Sequence, residues 1–306
     1  MKMIKNIGEV YTGHDKVTST MLAIKMTDIA GYRPTIDFLV NGKNATCMIH
    51  SNAHLYLRFN YANAQYFGIE DLIETGQFGI SEAGQTNKSY KGQANKLQFG
   101  DVILKEKNID IFETYPPDDL GFGMLGLQWI RENNIILNYN DNTVAILPNQ
   151  YQQNIIEKKL TQEGYTPIIF YHNETNNSFF MEVEINQHKA NFVISTVTHL
   201  IIDTFFAEKC GLVIGENVGS FGGPSGQTGE VYQSKDSFTL KIGQYITESS
   251  GLIYDQYKYS NKQLPNNESQ QTGGTLGASF MIQNNAVIDF GNRILYLNKN
   301  LKHRNH

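Results

Sequence analysis

The chain writes its main pattern twice. The segment IDFLVNGKNATCMIHSNAHL (36–55) aligns without a gap on MEVEINQHKANFVISTVTHL (181–200). Asn41 falls on Asn186, Ala45 on Ala190, Ile49 on Ile194, His54 on His199 and Leu55 on Leu200. The correspondence continues in order. AQYFGI (64–69) faces AEKCGL (207–212), GQTNKSY (84–90) faces GQTGEVY (226–232), and LQFGDV (97–102) faces LKIGQY (240–245). GMLGLQWIRENNIILNYNDNTVAIL (123–147) faces GTLGASFMIQNNAVIDFGNRILYL (274–297). This is a tandem duplication of a unit of about 120 residues, the size of one small domain. We assign 1–147 to a first lobe and 166–306 to a second. The polar stretch 148–165, with spaced Ile and Leu, reads as a helical linker.

Within each copy the local signals are mostly β. TIDFLVNG and FFMEVEIN alternate with period two, the mark of a half-buried strand. Asn41-Gly42 is a hairpin turn signal, followed by a second strand, NATCMI. RFNYANAQYFG and DTFFAEKCG end in Gly after an amphipathic turn or two, which suits short helices with a Gly C-cap. LQWIRENN and SFMIQNN read as further short helices. Each leads into a strand, IILNY or AVIDF, and then VAIL or ILYL. The expected fold class is all-β with short helices, in two lobes related by a pseudo-twofold axis.

Composition excludes several functions. Apolar residues make up 40 % of the 306 residues and charged residues 18 %, enough for a sizeable core. The formal charge is −5 and basic residues form no stripe, so nucleic acid is not an expected partner. Cys47 and Cys210 lie in apolar contexts and read as buried free thiols, not a disulfide framework. The opening MKMIKNIGEVYTG lacks the apolar run of a signal peptide, and no stretch reaches the length of a membrane span. The expectation is a soluble chain, its compartment open.

The repeated residues carry a resemblance. Each copy resembles the lobe of a retropepsin-like aspartic protease. That lobe is built from a strand hairpin, a buried strand ending in Asp-Thr/Ser-Gly, a short helix ending in Gly-Leu, and a flap hairpin. An apolar-apolar-Gly motif, here MLGLQWI and TLGASFM, and closing strands in the style of VIDF and LYL complete it. The resemblance spans about 21–297 and implies a fused version of the retroviral dimer, a monomer with an internal pseudo-dimer. It fails at the catalytic triplet. His50 and Ser195 stand where the family has its catalytic Asp, Ser51 and Thr196 hold the hydroxyl position, and Asn52 and Val197 replace Gly.

Aspartic proteolysis requires two carboxylates sharing one proton. A His and a Ser provide no such pair, so no catalytic residue is assigned. In the family each triplet hydroxyl bonds to the opposite loop, and Ser51 and Thr196 retain that capacity. Val197, β-branched at a Gly position, implies an altered second loop. The resemblance also implies flaps over the cleft, with Gly84, Gln85, Thr86 and Tyr90 in one and Gly226, Gln227, Thr228 and Tyr232 in the other. The expected function is a non-catalytic pseudoprotease that binds an extended peptide or protein segment between its lobes. The alternative is a hydrolase of altered chemistry using His50 and Ser195, for which the sequence shows neither an orienting group nor an oxyanion hole. His54 and His199 lack metal-site spacing and read as inherited structural histidines. The Gly-rich GSFGGPSGQTG (219–229) lacks the Gly-Lys-Ser/Thr of a phosphate loop. No metal or cofactor is expected.

Overall fold

The computed structural model describes residues 20–28, 32–79, 86–113, 119–147, 153–174, 176–222, 228–259, 264–267 and 271–300. The repeat is visible strand by strand. In the first lobe the hairpin Tyr32–Val40 and Lys43–Ile49 pairs antiparallel across Asn41-Gly42, both at positive φ (48° and 83°). In the second lobe Ser178–Ile185 and His188–Ile194 pair across Asn186 and Gln187, again both at positive φ (46° and 71°). Two consecutive positive φ values make the turn whose twist matches the flanking strands.

The asparagine retained in both turns has a second task. Asn41 donates its side-chain amide to the carbonyl of Phe67, and Asn186 donates to that of Cys210. Phe67 and Cys210 are the C-caps of the helices Tyr61–Tyr66 and Thr204–Lys209. One side chain therefore fixes the hairpin turn to a helix end in each lobe. The helices begin at Asn60 and Asp203, whose side chains accept the backbone N–H of Asn63 and Phe205. They end before Gly68 and Gly211, at φ 65° and 67°, as the C-cap reading requires.

Each buried hairpin strand runs parallel to the strand of the apolar-apolar-Gly motif. Lys43–Ile49 pairs with Phe122–Leu125, and His188–Ile194 pairs with Thr272–Leu276. Gly126 and Gly277 then open the helices Leu127–Glu132 and Ala278–Gln283. A Cβ at Gly126 would lie 2.3 Å from the Leu55 carbonyl oxygen, and one at Gly277 would lie 2.1 Å from that of His199. The glycines are needed for this close backbone approach.

The lobes join through a six-stranded sheet whose order is the same from either end. Thr20–Ala23, Thr143–Ile146 and Ile136–Asn138 come from the first lobe; Val287–Asp289, Ile294–Leu297 and Thr166–Ile169 come from the second. At its centre Ile136 faces Asp289, Leu137 faces Ile288 and Asn138 faces Val287. In the repeat Leu137 corresponds to Ile288, so the pseudo-twofold axis passes through that pair. The helix Gln153–Gln162 lies within the expected linker, and its Ile156 and Leu160 pack with Ile136, Leu147, Val287 and Tyr296.

The lobes differ in one respect that the repeat conceals. Thr86–Phe99 is one long strand pairing with Ile73–Gly79, Val102–Phe112 and the first hairpin. Its counterpart is broken into Thr228–Ser234 and Phe238–Ile242. Trp129 and Phe280 are both fully buried, as expected of core residues, and Cys47 and Cys210 are buried free thiols. Among the described residues no helix is long and apolar enough to cross a membrane.

Candidate functional site: the facing turns

The strands Lys43–Ile49 and His188–Ile194 deliver the two repeated turns to each other across the pseudo-twofold axis. Thr196 Oγ1 accepts the Ser51 backbone N–H at 2.9 Å and donates to the Ile49 carbonyl at 2.7 Å. Ser51 Oγ accepts the Thr196 N–H at 3.1 Å and donates to the Ile194 carbonyl at 3.1 Å. Ser51 and Thr196 are fully buried. The retained hydroxyls thus form a symmetric four-bond latch, as expected. A further cross-lobe bond breaks the symmetry: the buried Tyr139 phenol donates to the Thr196 carbonyl at 2.9 Å. The repeat places Phe290 opposite Tyr139, so only the first lobe can make it.

His50 and Ser195 each directly precede a latched residue, and each is engaged within its own turn. His50 Nδ1 accepts the Asn52 N–H at 3.2 Å, and Ser195 Oγ accepts the Val197 N–H at 3.3 Å. Each mimics the local bond a carboxylate could accept there. Accepting at Nδ1 leaves His50 with its proton on Nε2, the neutral form. Burial is the main cause that pulls its pKa down to about 4, aided by Arg33, Arg58 and His54.

Neither Asn52 nor Val197 has a positive φ; in the second turn the positive φ lies just beyond Val197, on Thr198, at 69°. A β-branched residue there is strained backbone. The altered path turns the Val197 side chain toward the first lobe, where it packs with Met48, Leu55 and Met124. An aliphatic side chain therefore covers part of the sheet beside His50 and Ser51.

The remaining candidates divide. Ile73–Gly79 with Thr86–Phe99, and Ile214–Gly222 with Thr228–Ser234, form related hairpins. Both carry a bulge at a positive-φ glycine, Gly76 (144°) and Gly219 (137°). Thr86 and Thr228 begin their strands, opposite Gly79 and Gly222. Gly84, Gln85, Gly226 and Gln227 lie outside the described residues. Tyr90 is half-buried with its ring 6.0 Å from Tyr61, and Tyr232 donates to Glu230 at 2.5 Å. His199 meets Tyr32 edge-on at 6.1 Å, while His54 lines a cavity of about 510 Å3 with Gln128, Arg131 and Asn177. Among the described residues no cluster of His, Cys, Asp and Glu could hold a metal ion. Sequence reasoning missed Arg33, Arg58 and Tyr139 at the site. Only Tyr139 left a signal, as a hydroxyl gained in one copy.

Two β-rich lobes, a palindromic joining sheet and latched turns define the acid-protease fold. The chain superposes on an aspartic proteinase from Irpex lacteus with a TM-score of 0.55 at 9 % identity, covering 94 % of this chain and 100 % of that one. It also superposes on conglutin gamma, a basic 7S globulin from lupine seeds, with a TM-score of 0.52 at 10 % identity, covering 93 % and 96 %. No known family's sequence profile and no curated protein matches the chain.

Proposed function

We propose that this protein is a degenerate, retropepsin-like member of the acid-protease fold that binds an extended peptide between its lobes without cleaving it. The observation that carries the reading is the latch. It holds both turns in place while His50, Ser195 and Val197 replace the residues that cleavage requires. Neighbours named as a proteinase and as a globulin share this fold, so the fold by itself does not decide activity. A cleft between lobes, edged by hairpins, can hold a strand through backbone hydrogen bonds alone.

A Ser–His hydrolase fits less well. The Ser195 hydroxyl is buried and accepts a backbone N–H, and His50 with a pKa near 4 is a weak base at neutral pH. The test is hydrolysis of a mixed peptide library, beside peptide capture by the same protein. We expect capture with no pepstatin-sensitive cleavage between about pH 3 and 8, since no protonation state of His and Ser yields a shared-proton dyad. Restoring both acids alone (His50→Asp, Ser195→Asp) leaves Val197 over the sheet. Adding Asn52→Gly and Val197→Gly gives the variant with the best prospect of turnover. Cleavage by the unmodified chain that is lost in His50→Ala or Ser195→Ala would return it to the enzymes.

A further inference from the structure

The repeat supplies a comparison for the cavity beside His54. Ile36 falls on Met181, so Tyr32 and Asn177, each four residues earlier, are equivalent. His54 likewise matches His199, and the aligned helices pair Leu127 with Ala278 and Arg131 with Ile282. Around His199 the chain closes on itself. The Thr198 N–H donates to the Tyr32 carbonyl at 3.0 Å, and the Tyr32 ring meets His199 edge-on at 6.1 Å. The helix Ala278–Gln283 packs against the strand that Tyr32 opens.

Among the described residues this closure is not repeated around His54. Ala53, the counterpart of Thr198, turns its N–H back to the His50 carbonyl at 3.1 Å. Asn177 brings a short amide where Tyr32 brings a ring. The result is a cavity of about 510 Å3, lined by His54, Leu127, Gln128, Arg131, Glu132 and Asn177. That is a volume in the range of small-ligand sites. Its walls are braced. Asn177 Oδ1 bonds His172 Nε2 at 2.9 Å and accepts Arg131 Nη1 at 3.4 Å. Glu132 accepts from Gln128 at 2.8 Å and from Lys107 at 2.9 Å, so its charge is met at the rim. Glu174, whose carboxyl also feels Arg131, pairs first with His172 at 3.0 Å.

We infer that this cavity receives an aromatic ring, edge-on to His54 and against the Arg131 guanidinium, supplied by a small aryl ligand or by a side chain of a bound segment. The inference does not depend on the peptide-binding reading above. The ring takes the place that Tyr32 fills at the duplicate site. Leu127, larger than Ala278, offers it more apolar contact. Arg131 is what the duplicate site lacks. Guanidinium planes stack on aromatic faces, and an N–H bond lies in the guanidinium plane, so the bond to Asn177 does not use the face.

The experiment titrates p-cresol, the tyrosine side-chain analogue, into the full chain and follows the His54 ring resonances by NMR. We expect them to move in one saturable transition. Methylcyclohexanol, the saturated counterpart, should bind about two- to fivefold more weakly, the effect of one exposed cation–π contact. Arg131→Ile, which installs the duplicate site's residue, should bring the two probes near parity. Asn177→Tyr should fill the cavity and abolish the transition at His54, and melting curves confirm that each variant is folded. A further arm with acetyl-Gly-Tyr-Gly amide separates the two sources. Binding at the same resonances assigns the ring to a side chain of a bound segment, and its failure beside p-cresol binding assigns it to a small ligand. No saturable shift at His54 overturns the inference. So does equal affinity of the unmodified chain for both probes, or p-cresol binding that neither variant alters.

Discussion

At the residue scale the molecule depends most on Thr196. Its hydroxyl accepts one cross-lobe N–H and donates to one cross-lobe carbonyl, both buried. Thr196→Val keeps the shape and removes both bonds. Leaving two buried backbone groups unsatisfied should cost about 3 kcal/mol, read from urea unfolding. Ser51→Ala removes the matching pair, so the double variant should cost less than the sum of the singles. The same scale shows where sequence reading stops. A retained hydroxyl at 51 and 196 announces the latch because its partners are fixed by symmetry. Val197 reaching Met48 and Met124, and the positive φ at Thr198, follow from the altered backbone path of one loop. Nothing in either copy's pattern encodes that path.

At the element scale the repeat supplies its own controls. Gln187 holds the left-handed position (φ 71°) that Gly42 holds in the first hairpin. Gln187→Gly should stabilise the protein by about 0.5–1 kcal/mol, the relief of left-handed strain less the added freedom of glycine in the unfolded chain. Thermal unfolding checks this, and a loss of stability would mean that the side chain contributes contacts outweighing its strain. The hairpins, Asn-Gly turn, Gly-capped helices and closing strands were legible because each is specified by neighbours in sequence. The break of the long flap strand into 228–234 and 238–242 went unread, although Ser234-Lys235-Asp236-Ser237 carries a turn signal that the first copy lacks.

At the scale of the whole molecule two titrations oppose each other. Asp203, 2 % exposed, accepts backbone N–H groups from Phe205 and Gln256, yet burial pushes its pKa up from 3.8 to about 6. The folded state binds this proton more tightly, so the stabilisation is full below pH 3.8 and lost as pH rises through 6. His50 runs the other way. Its folded pKa near 4 lies below the ordinary 6.5, so its contribution is full above pH 6.5 and lost as pH falls through 4. Between these limits the slopes work against each other, and stability should be nearly flat. Asp203→Asn should leave stability rising with pH over that interval, by an amount on the order of 2 kcal/mol. His50→Gln should leave it falling. Urea midpoints from acid to neutral pH decide the signs; parallel profiles for both variants would show that the two groups do not dominate.

The palindromic sheet also bears on synthesis. The strand Ile136–Asn138 finds its central partner, Val287–Asp289, only after the second lobe has been made. Until then a growing chain carries an open strand edge with Leu137 at its middle. Symmetry makes that edge nearly complementary to itself, because the partner it awaits is its own duplicate. Two nascent first lobes on one messenger could thus pair with each other in place of their own second lobes. A chain ending after residue 147 should accordingly form a concentration-dependent dimer by analytical ultracentrifugation, and Leu137→Lys should abolish it. The fused second lobe, present at a high local concentration, acts as the first lobe's tethered competitor against its siblings.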